Sequence, residues 1–209
     1  MFFKTHILCI ALAVVCSSCS VDVRQVPLAN DSKSGPNLCE IPVLIGDVRV
    51  ISYDARHDSI AWRTYFLSAL RDRRIFKDTL NLERAGTMKG SFMIMDIVFR
   101  PTYTNDYNWW WTWPAVYPLV GYWPVQLREG TYTASVEYRL LDRSQRILAE
   151  DKVEIREQES VTMYGFFRTK PVEQMIYQVN QEIVLKWVES VERSIRNQDL
   201  CLSQEKDEE

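Results

Sequence analysis

Side chains able to do acid–base or metal chemistry are few and scattered in this sequence. There are two histidines, and His6 falls in the apolar amino-terminal segment, so a catalytic triad or multi-histidine metal site has only His57 to build on. His57 stands between Arg56 and Asp58 in a polar connection, the setting of a solvated loop residue. Asp96 is the one carboxylate inside an apolar run, SFMIMDIVF from Ser91 to Phe99, where burial would raise its pKa and make it a candidate acid or base. No second carboxylate or histidine is spaced to work with it, so pairing with an arginine, or a polar gap, is the expected environment. Neither Gly-x-Ser-x-Gly nor His-Glu-x-x-His occurs. No catalytic residue, metal ligand or cofactor is therefore expected, and the chain reads as a non-enzyme.

What the sequence does concentrate is aromatic surface. Tyr107 to Leu127, YNWWWTWPAVYPLVGYWPVQL, is uncharged and holds Trp109, Trp110, Trp111, Trp113 and Trp123 of the chain's 7 tryptophans. Its length alone would cross a bilayer, but Pro114, Pro118, Gly121 and Pro124 exclude a spanning helix. Each interior proline costs about 3 kcal/mol and frees carbonyls that lipid cannot satisfy. A looped or polyproline-like excursion is expected instead. Indoles and phenols favour the membrane–water interface and are the commonest anchors of protein hot spots. Trp109, Trp110, Trp111, Trp113, Tyr117, Tyr122 and Trp123 are accordingly the candidate contact residues for a membrane interface or an envelope protein partner. Two alternatives stand beside this: the loop closes over the sheet and its tryptophans complete the core, or the rings stack on sugars of an envelope glycan or lipopolysaccharide, as in a binding module or, against the lack of catalytic motifs, a hydrolase.

The amino terminus supplies an address. MFFKTHILCIALAVVCSSC has a basic start at Lys4, an apolar run from Ile7 to Val15 and small residues before Cys19, the form of a secretory signal too short to span a bilayer. Cys16-Ser17-Ser18-Cys19 resembles the lipobox of bacterial lipoproteins, with Cys16 where that family usually has Leu, Val or Ile. The resemblance implies cleavage after Ser18, lipidation of Cys19 and anchoring in a membrane. Ser20 after the cysteine resembles lipoproteins sorted to the outer membrane, facing the periplasm. Plain secretion is the alternative. With residues 1–18 removed, Cys39 and Cys201 are the remaining thiols, in an oxidising compartment. A bridge between them would tie the two ends of the domain together, worth about 4–5 kcal/mol in the chain-entropy model; two separate thiols are the other reading.

Positioning falls to the rest of the 209 residues. Residues 19–38 are rich in Pro, Gly, Ser and Asn and read as a flexible tether. The domain spans 39–202, with the aromatic insertion at 104–129, and residues 203–209 form an acidic tail expected to be disordered. Glu40 to Ser52 reads as a strand, and Asp58 and Ser59 can cap a helix in which Trp62, Phe66, Ala69 and Leu70 share one face. Ile75 to Leu82 reads as a short strand and Ser91 to Phe99, apolar on both faces, as a central one. Tyr132, Ala134, Val136, Tyr138 and Leu140 alternate with polar residues across Thr131–Leu141. After a turn at Asp142–Arg146, Ile147, Ala149, Val153 and Ile155 do the same up to Arg156, with Asp151 as an exception on the apolar face. Pro171 opens a last helix whose stripe is Val172, Ile176, Val179, Ile183, Trp187, Val191 and Ile195. The formal charge of −3 gives no footprint for nucleic acid.

Strand, helix, strand, strand, insertion, strand, strand, helix predicts an α+β fold, two helices on one face of a four- to five-stranded mixed or antiparallel sheet. Through the Ser59–Leu70 helix, Ile75-Phe76, SFMIMDIVF and VEYRLLDRSQRILAED, Ile41–Arg196 is similar to the domain shared by the curli-secretion lipoproteins, the lipoprotein activators of penicillin-binding proteins and the amino-terminal domain of the Tol-system periplasmic protein. That resemblance implies the fold and an envelope location, and it transfers no functional residue.

Overall fold

Each long element carries an apolar face, and in the structure, a computed structural model, those faces meet. Residues 21–23, 25–27, 36–52, 59–81, 90–108, 125–164, 169–197 and 201 are described. Among them the order is β1 (Val43–Val50), α1 (Ser59–Asp72), β2 (Thr79–Asn81), β3 (Met93–Asn108), β4 (Val125–Leu141), β5 (Ile147–Tyr164) and α2 (Lys170–Asn197). The five strands form one mixed sheet, β2-β1-β3-β4-β5. β1 runs parallel to β2 and β3, and β3, β4 and β5 form an antiparallel meander. α1 lies on β1, α2 lies across β4 and β5, and the helices touch each other. This is the α+β architecture expected, with five strands.

Strand alternation decides which side the helices cover. Met93, Met95, Ile97 and Phe99 of β3 and Tyr132, Ala134, Val136, Tyr138 and Leu140 of β4 all point into the core. The helices answer with Trp62, Phe66 and Leu70, and with Ile176, Ile183, Trp187 and Val191, each fully buried. The Trp62 and Phe99 rings lie 4.1 Å apart between centroids, and the Phe66 and Trp187 rings 4.9 Å. Both stripes read from helical spacing are thus core. The Asp142–Arg146 turn also forms as expected. Asp142 is buried and accepts hydrogen bonds from the Arg146 backbone N–H at 2.8 Å and its Nε at 2.6 Å, while Gln145 takes the left-handed conformation the reversal needs, φ 64°.

Four expectations change. Thr79–Asn81 is a shorter β2 than Ile75–Leu82, because Phe76 makes only an isolated bridge to Cys39. The strands bordering the insertion run much further: β3 to Asn108 rather than Phe99, β4 from Val125 rather than Thr131, and β5 to Tyr164 rather than Arg156. Residues 104–108 and 125–129, assigned above to the insertion, are therefore sheet. Ile147 is exposed, at 55%, rather than facing the core, because the β4–β5 register shifts at Leu140/Leu141. Finally, described residues of the 19–38 tether are docked on the domain, as set out below.

Candidate functional site

The aromatic segment is delivered by a long β-arm. β1 pairs with β3 only as far as Val50↔Phe99, whereas β3 and β4 stay in one unbroken register from Ile94↔Leu141 to Asn108↔Leu127. β5 keeps pace to Val125↔Tyr164. From Arg100 onward a three-stranded sheet therefore extends about 30 Å past the end of β1. Pro101 sits at the root of this arm, paired with Ala134. The Phe99 carbonyl faces β1, where it accepts from Ile51 N–H at 2.8 Å. Two residues on, the N–H that proline lacks would face the same side, which β1 has already vacated, so no ladder bond is lost.

At mid-height the arm is held by close cross-strand contact. A Cβ on Gly130 would come within 3.0 Å of the Tyr103 hydroxyl oxygen, so the glycine leaves room for that ring. Gln158 Nε2 donates to Glu129 Oε2 at 3.2 Å. Trp109, Trp110, Trp111, Trp113, Tyr117, Tyr122 and Trp123 lie outside the described residues, between the ends of β3 and β4, as do Cys19, His57 and the 203–209 tail.

Asp96 is half-buried and structural. Its Oδ1 accepts the Asp47 N–H at 2.9 Å, at the point where β1 bulges between Ile45 and Val48. A Cβ on Gly46 would come to 2.3 Å from that oxygen, so the bulge needs glycine. Arg63 of α1 completes the bulge, its Nη2 donating to the Ile45 and Gly46 carbonyls at 3.2 and 3.0 Å. The expectation of a buried carboxylate gives way because no element covers this side of β3 among the described residues.

That helix-free side carries Arg49, Arg100, Glu137, Arg139, Glu150 and Lys152 around a shallow polar recess. The charges are matched in pairs, Arg100–Glu137 at 2.5 Å, Arg139–Glu150 at 3.6 Å and Lys152–Glu154 at 2.9 Å. The hydrogen bond from Arg100 holds the Glu137 carboxyl below its usual range. A neutralised ladder of this kind is a solvated sheet face rather than a ligand site. No group of three His, Cys, Asp or Glu is placed to hold a metal ion, and no helix is long and apolar enough to cross a membrane, among the described residues.

On the helix side, polar residues inside the core join three elements. Asn180, fully buried on α2, accepts from the Tyr132 hydroxyl at 2.7 Å and donates through Nδ2 to the Gln25 carbonyl at 2.7 Å. Burial pushes the Tyr132 phenol well above its ordinary pKa, the bond to Asn180 opposing in part. Asp22 N–H donates to Glu173 Oε1 at 3.3 Å, Val21, Val23 and Val26 pack against the core, and Pro27 is buried. These residues are a strap along α2 rather than a free tether. The composition of 19–38 hid it, although Val21, Asp22, Val23 shows the apolar–polar–apolar alternation of an extended segment packing one side. Asp151, the exception on the apolar face, accepts a hydrogen bond from Ser190 Oγ of α2, and the Tyr138 hydroxyl bonds Ser194 Oγ at 2.8 Å. Cys39 and Cys201 are joined, with Cα atoms 5.5 Å apart, at the end of the domain away from the arm.

A protein-family model matches residues 9–192, most of the chain, and the protein belongs to that family. The curated proteins gave no match. Solved structures with some likeness include a neuraminyllactose-binding hemagglutinin homolog from Helicobacter pylori, at 6% identity and TM-score 0.47 over 78% of this chain and 92% of that one. Another is a protein of the DUF330 family from Xanthomonas campestris, at 10% identity and TM-score 0.38 over 82% and 96%. A third is a minor lipoprotein from Acinetobacter baumannii, at 12% identity and TM-score 0.34 over 72% and 89%. Likenesses of this size assign no function.

Proposed function

We propose that this protein is a non-enzymatic, lipid-anchored accessory protein of the bacterial cell envelope. Cys19 carries the lipid and holds the chain at the outer membrane on its periplasmic side. The β-arm presents Trp109, Trp110, Trp111, Trp113, Tyr117, Tyr122 and Trp123 to a membrane interface or a protein partner. The finer kinship with the curli-secretion, penicillin-binding-protein activator and Tol-system domains belongs to the same proposal and rests on sequence pattern. The observation that carries it is the unbroken β3–β4 register, which continues past β1 and ends at the aromatic segment. A loop needed only to close the core would not require strands of 16 and 17 residues leading to it.

Indole fluorescence tests this directly, because the two other tryptophans, Trp62 and Trp187, are fully buried and quench little. In a chain with Cys19→Ser, an aqueous collisional quencher should reach most of the emission, and lipid vesicles or a captured partner should protect it. Low quenching unchanged by either addition would overturn presentation of the aromatics.

A further inference from the structure

The docked strap fixes a direction. Asp22 bonds Glu173 and Gln25 bonds Asn180. Glu173 and Asn180 are about 10 Å apart along a helix, and Asp22 and Gln25 about 10 Å apart in extended chain. The strap therefore runs alongside α2 with its Cys19 side toward the α2 amino terminus. α2 itself runs the same way as β4, since Asn180 meets Tyr132 and Ser194 meets Tyr138. The amino terminus of α2, the outgoing end of the strap and the β-arm thus lie at one end of the molecule, with the disulfide at the other.

Heights agree as well. From the Tyr132–Asn180 bond to the last β4–β5 pair, Val125↔Tyr164, is about 23 Å of strand. From the same bond up α2 to Glu173 is about 10 Å, and chain connectivity confines Cys19 to within about another 10 Å of Asp22. The residue types change along the arm in the same direction. Its last pairs, Val125↔Tyr164, Gln126↔Met163 and Leu127↔Thr162, are uncharged, the next, Arg128↔Val161, carries a single cation of the kind that suits anionic headgroups, and acidic residues recur below it at Asp106↔Glu129, Gly130↔Glu159 and Tyr132↔Glu157.

We propose that residues 21–27 are an orienting strap, and that the end of the β-arm is a contact surface for the lipid bilayer that holds the chain's own acylated Cys19. The uncharged last pairs meet the headgroup region, and Glu129, Glu157 and Glu159 mark the level that stays in water. This rests on the lipid-anchor reading above and deepens it by committing the arm to the anchoring membrane.

The mature lipidated chain, reconstituted in phosphatidylethanolamine–phosphatidylglycerol vesicles carrying a headgroup-linked quencher, provides the test. Fluorophores are attached singly through Ser160→Cys on the arm and Ser144→Cys in the turn at the far end, both exposed positions. Quenching at position 160 should be several-fold stronger than at 144. Loosening the strap with Val21→Ser, Val23→Ser and Val26→Ser, or lengthening the link by a Gly-Ser insertion before Val21 that leaves the domain untouched, should shrink that ratio toward one while the protein still floats with vesicles. Equal quenching at the two sites in floating wild-type protein, or a ratio unchanged by both strap variants, overturns the orientation and leaves the anchor standing. A Cys19→Ser chain that floats as well as wild type overturns the anchor reading, and with it this assignment.

Discussion

The sheet has two halves built on the same three strands. Below Arg100, every core-facing position of β3 and β4 is apolar or a buried tyrosine, and α1 and α2 cover it. The cover reaches past Arg100 as far as Tyr132, Ala134 and Ile155, which are still buried, with Tyr132 bonded to Asn180 of α2; beyond them hydrogen-bonded pairing continues unbroken, yet the exposed positions read Thr104, Asn105, Glu157, Gln158 and Ser160. The covered half is stabilised by burial, at about 25 cal/mol per Å² of apolar area. Beyond that cover the arm has backbone pairing, the Tyr103–Gly130 contact and the Glu129–Gln158 bond. Pairing without an apolar cover is marginal in isolation, so the arm depends on strands anchored in the core. It should open locally at lower free energy than the covered half.

Four experiments probe this contrast. Removing the disulfide with Cys39→Ser and Cys201→Ser should have the largest effect, about 5 kcal/mol for a loop of this length in the chain-entropy model. Chemical denaturation of the whole domain reads it, with exchange of the arm amides little changed. Trp187→Ala, which empties a fully buried site against Phe66, should cost about 3–5 kcal/mol, seen as a lower denaturation midpoint; a small loss would mean that the covered half is less tightly packed than its burial implies.

Acid titration comes next. Burial raises the Asp142 pKa, but hydrogen bonds from Arg146 outweigh it and hold the group below its ordinary 3.8. A depressed folded-state value contributes stability above the unfolded pKa and loses it as pH falls through the folded one. Asp142→Asn should therefore flatten the loss of stability below about pH 4, as read by denaturation across pH. The smallest effect belongs to the arm: Gln158→Ala should change global stability by less than about 0.5 kcal/mol while speeding amide exchange near Glu129 and Gln158. A global loss of several times that would show the arm and the covered half to be one cooperative unit.

The covered half was legible in the sequence because burial writes a period. Tyr132 to Leu140 alternate, Trp62, Phe66 and Leu70 share a helical face, and the whole Val172–Ile195 stripe is core, so the α+β fold followed. The arm was illegible for the complementary reason. Thr104 and Asn105, and later Glu157 and Gln158, are exposed and so show no alternation, while Pro101 reads as the end of a strand unless the last β1 pair is known to lie two residues before it. Asp96 was misread as buried because Ile94 and Val98 look like a second covered face, whereas they lie half-exposed on the helix-free side. The Cys39–Cys201 pairing followed from counting thiols, and the strap was missed because the Pro-, Gly-, Ser- and Asn-rich composition of 19–38 outweighs the three-residue alternation at Val21, Asp22 and Val23, and its bond to Asn180 of α2 is made by the Gln25 backbone, which carries no sequence signal.

The Cys39–Cys201 bond also bears on proteolysis. It closes residues 39 to 201 into a covalent ring, and a protease that cuts once between those cysteines opens the ring without releasing a fragment. The two pieces stay linked by the cystine and clamped by β-pairing on either side of the cut. A nick in 109–124, between the arm strands, would blunt the contact surface yet leave the mass under non-reducing conditions higher by only one water. The damage would show as two bands only after the bond is reduced.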